Sequence, residues 1–210
     1  MIVINFKNYK IGKDILDLVH QIEIYYSKAI IAIPTINIKE IAANTSLHVI
    51  AQHVDFREAG RGTGYTIPES LVGAGVNMSL LNHSEHKLDI ADIKKTLKRC
   101  NEVGLKLIIC TSSLTEARKL KALNPYAIAF EDKKLVATGK SITEYNAHDV
   151  KKFVDILKDS KIIPLCGAGI TKGEDVVAAL VLGCKGVLVA SAVASSQNPE
   201  KFLKEIASLF

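Results

Sequence analysis

The chain has 210 residues, 48% apolar and 23% charged, the balance of an ordinary soluble globular protein. Lys plus Arg number 27 and Asp plus Glu 22, a net charge of +5 spread along the chain. That surplus suits a small anionic substrate but excludes the concentrated basic face of a nucleic-acid binder, and with seven residues in the longest apolar run, Val176–Leu182, no membrane partner is expected.

Short apolar runs alternate with longer one-sided patterns along the whole sequence. Ile2–Phe6 is the first run, and Met1–Lys7 places its lysine after the apolar stretch, the reverse of a secretory signal. Ile11, Ile15, Leu18, Val19 and Ile22 follow at helical spacing. Ile30–Ile33 and His48–Ala51 are the next runs. His53–Ala74 is a long insertion holding Arg57-Glu58-Ala59-Gly60-Arg61-Gly62-Thr63-Gly64, too polar and glycine-rich for core and so read as a functional loop.

Val76–Leu81 precedes a helical stripe of Ile90, Ile93, Leu97 and Cys100, with a further run at Leu105–Cys110. Tyr126–Phe130 follows, then a helix through Val150, Phe153, Val154 and Leu157. Ile162–Cys166 is the weakest strand, because Pro164 cannot donate to a ladder. Gly186–Ala190 is the eighth run. The last helix carries Phe202, Leu203, Ile206 and Leu209, opened by an Asn198-Pro199 cap.

Continuous apolar runs of this length fit strands buried on both faces. Eight of them with intervening helices leave two architectures, an open doubly wound sheet or a closed (β/α)8 barrel. With no linker and no leftover edge strand, the barrel is favoured, as one α/β domain over residues 1–210. Cys100, Cys110, Cys166 and Cys184 are spaced by 10, 56 and 18 with no C-x-x-C pair, which predicts reduced, buried thiols in a cytoplasmic protein and no zinc site.

A barrel of this kind works at the C-terminal ends of its strands. Asn5 and Lys7 end the first run; their spacing points both to one side of a strand, where an anion could meet them. His83 and Glu85 follow the fourth. A helix beginning at His83 would keep the imidazole neutral through its dipole, and Glu85 reads as a structural partner for a nearby cation. Glu131 directly follows the sixth run and reads either as a helix-capping acid or as a base. Gly167-Ala168-Gly169 and Ala190-Ser191 are small-residue turns after the last two runs, where barrels commonly hold phosphate. Glu131–Gly139 reads as a plain connection or as a lid hinged near Gly139.

Taken together these residues resemble the triosephosphate isomerase family in its compact archaeal form. Asn5-Phe6-Lys7, Ala51-Gln52, Gly62-Thr63-Gly64, His83-Ser84-Glu85, Cys110, Glu131 with Thr138-Gly139, Cys166-Gly167-Ala168-Gly169 and Val189-Ala190-Ser191 match family motifs in order and rough spacing. The chain departs from the family at Asp132, where proline is usual, and at Ala137, where glycine is usual.

The resemblance implies interconversion of dihydroxyacetone phosphate and D-glyceraldehyde 3-phosphate in glycolysis and gluconeogenesis. It implies Glu131 as base, His83 as hydrogen-bond donor and proton shuttle, and Lys7 as the cation that stabilises charge. Asn5 would orient the substrate, and Val136, Ala137, Gly169, Ala190 and Ser191 would hold its phosphate. It implies no metal and no organic cofactor, and a homodimer or homotetramer assembled through the Arg57–Gly64 loop. Another phosphate-binding barrel enzyme, or a catalytically silent sugar-phosphate-binding barrel, remains open at this point.

Overall fold

The computed structural model describes residues 1–132, 135, 138 and 140–209. Eight parallel strands close into a barrel in sequence order: β1 (Ile2–Asn5), β2 (Ile30–Ile33), β3 (His48–Ala51), β4 (Met78–Leu81), β5 (Lys106–Thr111), β6 (Ala127–Glu131), β7 (Ile163–Gly167) and β8 (Val187–Val189). All eight runs expected from the sequence are strands. The first and last zip together with Ile2 opposite Val187, Val3 opposite Leu188 and Ile4 opposite Val189.

Helices α1 (Lys13–Tyr25), α2 (Ile38–Ala43), α3 (Pro68–Gly73), α4 (Ile90–Glu102), α5 (Leu114–Lys121), α6 (Ile142–Tyr145), α7 (Ala147–Leu157), α8 (Gly173–Val181), α9 (Ser191–Ala194) and α10 (Pro199–Ala207) occupy the connections. The longer ones are one-sided: α1 buries Ile15, Leu18, Val19 and Ile22, and α10 buries Phe202, Leu203 and Ile206. Local caps fix their starts. The side chains of Asp89, Ser113 and Asn198 accept hydrogen bonds from the backbone N–H of Asp92, Glu116 and Lys201.

Strand alternation sorts the core into two layers. Val3, Ala32, Ile50, Leu80, Ile108, Ala127, Ala129, Leu165 and Leu188 fill the barrel interior. Ile2, Ile4, Ile31, Ile33, Ile109, Ile128, Phe130 and Val187 face the helices. Asn5 continues the inward column of Val3, and Glu131 continues that of Ala127 and Ala129, so both polar side chains end at the top of the barrel.

Pro164 does belong to a strand. Ile163 N–H donates to Tyr126 on the β6 side, while Cys166 N–H donates to Gly186 on the β8 side. By that alternation the missing Pro164 donor would face β8 below the point where β8 begins, so no ladder bond is lost.

Five expectations need correction. Ile11 precedes α1 and is 80% exposed, so it is not part of the buried stripe. Ile90 opens α4 and Leu209 lies past α10, and both are also exposed. The insertion after β3 is not all loop, because Pro68 at the first helical position starts α3. No helix begins at His83; residues 83–86 form a turn closed by His86 N–H on His83 O (2.8 Å), and α4 starts only at Ile90.

Candidate active site

The top of the barrel gathers the residues singled out from the sequence. Asn5, Lys7, His83, Glu131, Gly169, Ala190 and Ser191 line one cleft at the C-terminal ends of the strands. Its walls are completed by Ala168 and Val189, which belong to motifs read from the sequence, and by Tyr9, Ile170 and Leu188, which were not marked as site residues. Val136 and Ala137, together with Lys133, Lys134 and the hinge expected at Gly139, lie outside the described residues.

Lys7 reaches the cleft by a different route from the one its spacing suggested. β1 ends at Asn5, and Lys7 sits in a left-handed turn (φ 46°) whose N–H donates to Asn5 Oδ1 at 2.9 Å. The Gln52 amide donates to the carbonyls of Lys7 and Ala32, tying this turn to β2 and β3. Lys7 Nζ pairs with Glu85 Oε1 at 2.7 Å, so the cation expected beside Glu85 is Lys7.

His83 is buried, with its two nitrogens in distinct settings. The Glu85 N–H donates to Nδ1 at 3.2 Å, which leaves the ring proton on Nε2, facing the cleft. Burial opposes an imidazolium here, but the Glu131 carboxylate opposite Nε2 and Glu85 beside Nδ1 outweigh it and raise the proton affinity of the ring above its ordinary value; Lys7 pulls the other way. The expected helix dipole plays no part in setting this balance, because no helix starts here.

Glu131 is the last residue of β6 and is buried. No helix follows it directly, so it caps none; α6 begins at Ile142 behind Ser141. Its Oε2 has no hydrogen-bond partner and faces His83 Nε2 across 3.5 Å. Behind it the buried Cys110 thiol is pushed well above its usual range, first by burial and then by the Glu131 charge. Gly167 leaves room for the carboxylate: a Cβ there would lie 3.0 Å from Glu131 Oε1 and 2.9 Å from Leu188 O.

Two further strand ends close the cleft. Ala168 (φ 74°) and Gly169 (φ 68°) both adopt the left-handed conformation, and Ala168 O accepts from Ile142 N–H at 3.1 Å. A Cβ on Gly169 would fall 1.9 Å from Lys140 O, so only glycine fits against the segment leaving residue 140. Ala190 and Ser191 open α9, with Val193 and Ala194 N–H both bonded to Ala190 O. Of the non-glycine residues with positive φ, Lys7, Asn82 and Ala168 all stand at this rim, and backbone strain of that kind concentrates at functional sites. Among the described residues, no group of three or more His, Cys, Asp or Glu side chains is arranged to hold a metal ion.

A buried carboxylate, an imidazole and an ammonium around a small cleft at the mouth of a parallel (β/α)8 barrel define an enzyme built for proton transfer on a small anionic substrate. The sequence model for triosephosphate isomerase matches residues 1–208. The triosephosphate isomerase of Methanocaldococcus jannaschii is 37% identical over 98% of both chains. That of Methanopyrus kandleri is 35% identical over 99% of this chain and 96% of its own. That of Sulfolobus acidocaldarius is 34% identical over 98% and 92%. The chain belongs to the triosephosphate isomerase family.

Proposed function

We propose that Glu131, His83 and Lys7 interconvert dihydroxyacetone phosphate and D-glyceraldehyde 3-phosphate through an enediolate, the step shared by glycolysis and gluconeogenesis. The observation that carries this assignment of roles is the buried, unpartnered Glu131 Oε2 facing His83 Nε2 at 3.5 Å, with Lys7 on the same cleft.

Glu131 removes the proton from the carbon beside the carbonyl and returns it to the neighbouring carbon. His83 donates its Nε2–H to the carbonyl oxygen and relays protons between the two oxygens. Lys7 stabilises the negative charge that develops on them, and Asn5 holds the Lys7 turn in place. Preorganised donors in a dry cleft are what a weakly acidic C–H requires.

The electrostatics suit the sequence of steps. Burial lowers the proton affinity of His83, but the Glu131 carboxylate, by hydrogen bonding and then by charge, and after it Glu85 raise it above the ordinary value. When Glu131 takes the substrate proton the negative charge passes to the enediolate oxygens, where His83 Nε2–H and Lys7 meet it. Backbone around Gly169, Ala190 and Ser191, with Val136 and Ala137, receives the phosphate, whose charge the left-handed turn and small side chains can approach closely.

Assembly through the loop after β3 and residence in the cytoplasm are part of the same reading. The loop neck is closed by Asp55 and Thr66, which exchange two hydrogen bonds, and Arg57 stacks on Phe56 and on the exposed Tyr65. The four cysteines are buried free thiols, and no helix among the described residues is long and apolar enough to cross a membrane.

A coupled assay of triose phosphate isomerisation tests the reaction. Glu131→Asp withdraws the carboxylate by one methylene and is expected to lower kcat by about 100-fold while 2-phosphoglycolate affinity changes by less than about threefold. Unchanged turnover in this variant overturns Glu131 as the base.

A further inference from the structure

Two residues outside the cleft bond to the turn that carries the imidazole. His83 and Glu85 both ride on the turn 82–88, and the turn has no helix to hold it until Ile90. Asn82 opens it in the left-handed conformation (φ 59°) and is fully buried. Its amide spans the turn: Oδ1 accepts from Leu88 N–H at 2.9 Å, and Nδ2 donates to Cys110 O on β5 at 2.8 Å and to Glu116 Oε1 on α5 at 2.9 Å.

Glu116 grips the other end of the same turn. Its Oε1 also accepts from Lys87 Nζ at 2.6 Å, while Oε2 accepts from Thr111 Oγ1 (3.0 Å) and Ser112 N–H (2.9 Å) at the top of β5. Burial alone would raise this carboxyl, but Lys87, Ser112 and Asn82 hold it below its ordinary range. Four donors therefore converge on one carboxylate that does not line the cleft. A solvated face would not need this arrangement; a turn that must hold His83 and the Glu85 partner of Lys7 does.

We infer that Asn82 and Glu116 are positioning residues, a clamp from α5 that fixes the 82–88 turn so that His83 Nε2 faces Glu131 and Glu85 meets Lys7. The inference rests on the proposed reaction but is testable apart from it. Asn82→Gly keeps the left-handed backbone, which glycine adopts freely, and deletes only the amide. Glu116→Gln keeps the shape but sets an NH2 donor against donors already pointing at it.

Both variants are checked for folding by thermal melting and assayed below their melting range. The expected result is a 10- to 100-fold fall in kcat, of the size a displacement of about 1 Å produces, with 2-phosphoglycolate affinity within about threefold. In the same variants, 15N spectra of the His83 ring are expected to lose the single Nε2-protonated tautomer, a readout that needs no turnover. If either folded variant keeps kcat within about threefold of the parent, or loses kcat and 2-phosphoglycolate affinity in parallel, the positioning role is overturned. An inactive parent protein would instead overturn the reaction and leave the ring spectra to judge the clamp.

Discussion

At the residue scale, local setting decides what each ionisable group does. Two histidines near the rim are pushed in opposite directions. His83 faces carboxylates and gains proton affinity. His53 loses it, first through burial and then through His86, whose ring stacks on it at 4.1 Å, with Asp55 opposing. The depressed value has a definite consequence for stability. At pH values above the ordinary 6.5 of the unfolded chain, both states leave His53 neutral and nothing is lost. As the pH falls through 6.5 towards the lower folded value, the unfolded chain takes up the proton first, and stability declines. His53→Asn is therefore expected to flatten the fall in Tm between about pH 7 and pH 5, whereas a fall of unchanged steepness in the variant would mean that His53 contributes nothing to it.

At the element scale, the strand ends do the positioning, and the turn 167–169 shows how narrowly. Gly169→Ala sets a Cβ 1.9 Å from Lys140 O at a φ of 68°. Strain and overlap together are expected to cost about 2 kcal/mol or more, lowering Tm by about 5 °C, and to weaken 2-phosphoglycolate binding because the turn must shift. A variant with parental Tm and affinity would show that the turn yields freely.

This is also the scale at which the sequence was most readable. The eight strands were legible because both faces of each are buried and the runs are nearly all apolar. Asn5 and Glu131 were legible because each is the polar residue that ends such a run. The clamp of Asn82 and Glu116 was not, because its partners are 34 residues apart and Glu116 sits in an ordinary polar-rich helix, where a glutamate is usually solvated. The supposed helix start at His83 failed for a related reason. The capping signal belongs to Asp89, and the turn before it is tied to β5, α5 and Lys7 by hydrogen bonds that are distant in sequence and leave no local pattern. Helix α3 did leave a signal, Pro68 followed by Glu69, but it was hidden by the glycines just before it.

At the scale of the whole molecule, the loop between β3 and α3 stands out from a compact barrel. Its neck is fixed by Asp55 and Thr66, and beside that neck Arg57 and Tyr65 are exposed and packed on each other. Ordering an exposed projection of this kind costs conformational entropy that a second copy of the chain can offset by burying it. Light scattering is expected to give a mass at least twice that of one chain at micromolar concentration, and a monomer there would remove the assembly from the proposal.

The pairing of β1 with β8 has a consequence for how the molecule comes into being. The Met1 amine bonds to Lys185 O, and Val187 N–H bonds to Met1 O, so the seam joins positions 184 residues apart. The first strand of the barrel must wait with one edge bare until the eighth has been made and can pair with it. Asn5 and Lys7 meet Ala190 and Ser191 only when that ring shuts. Fragments lacking β8 leave the cleft without one wall and the edge of β1 bare, which makes the speed of that closure a point at which yield is won or lost.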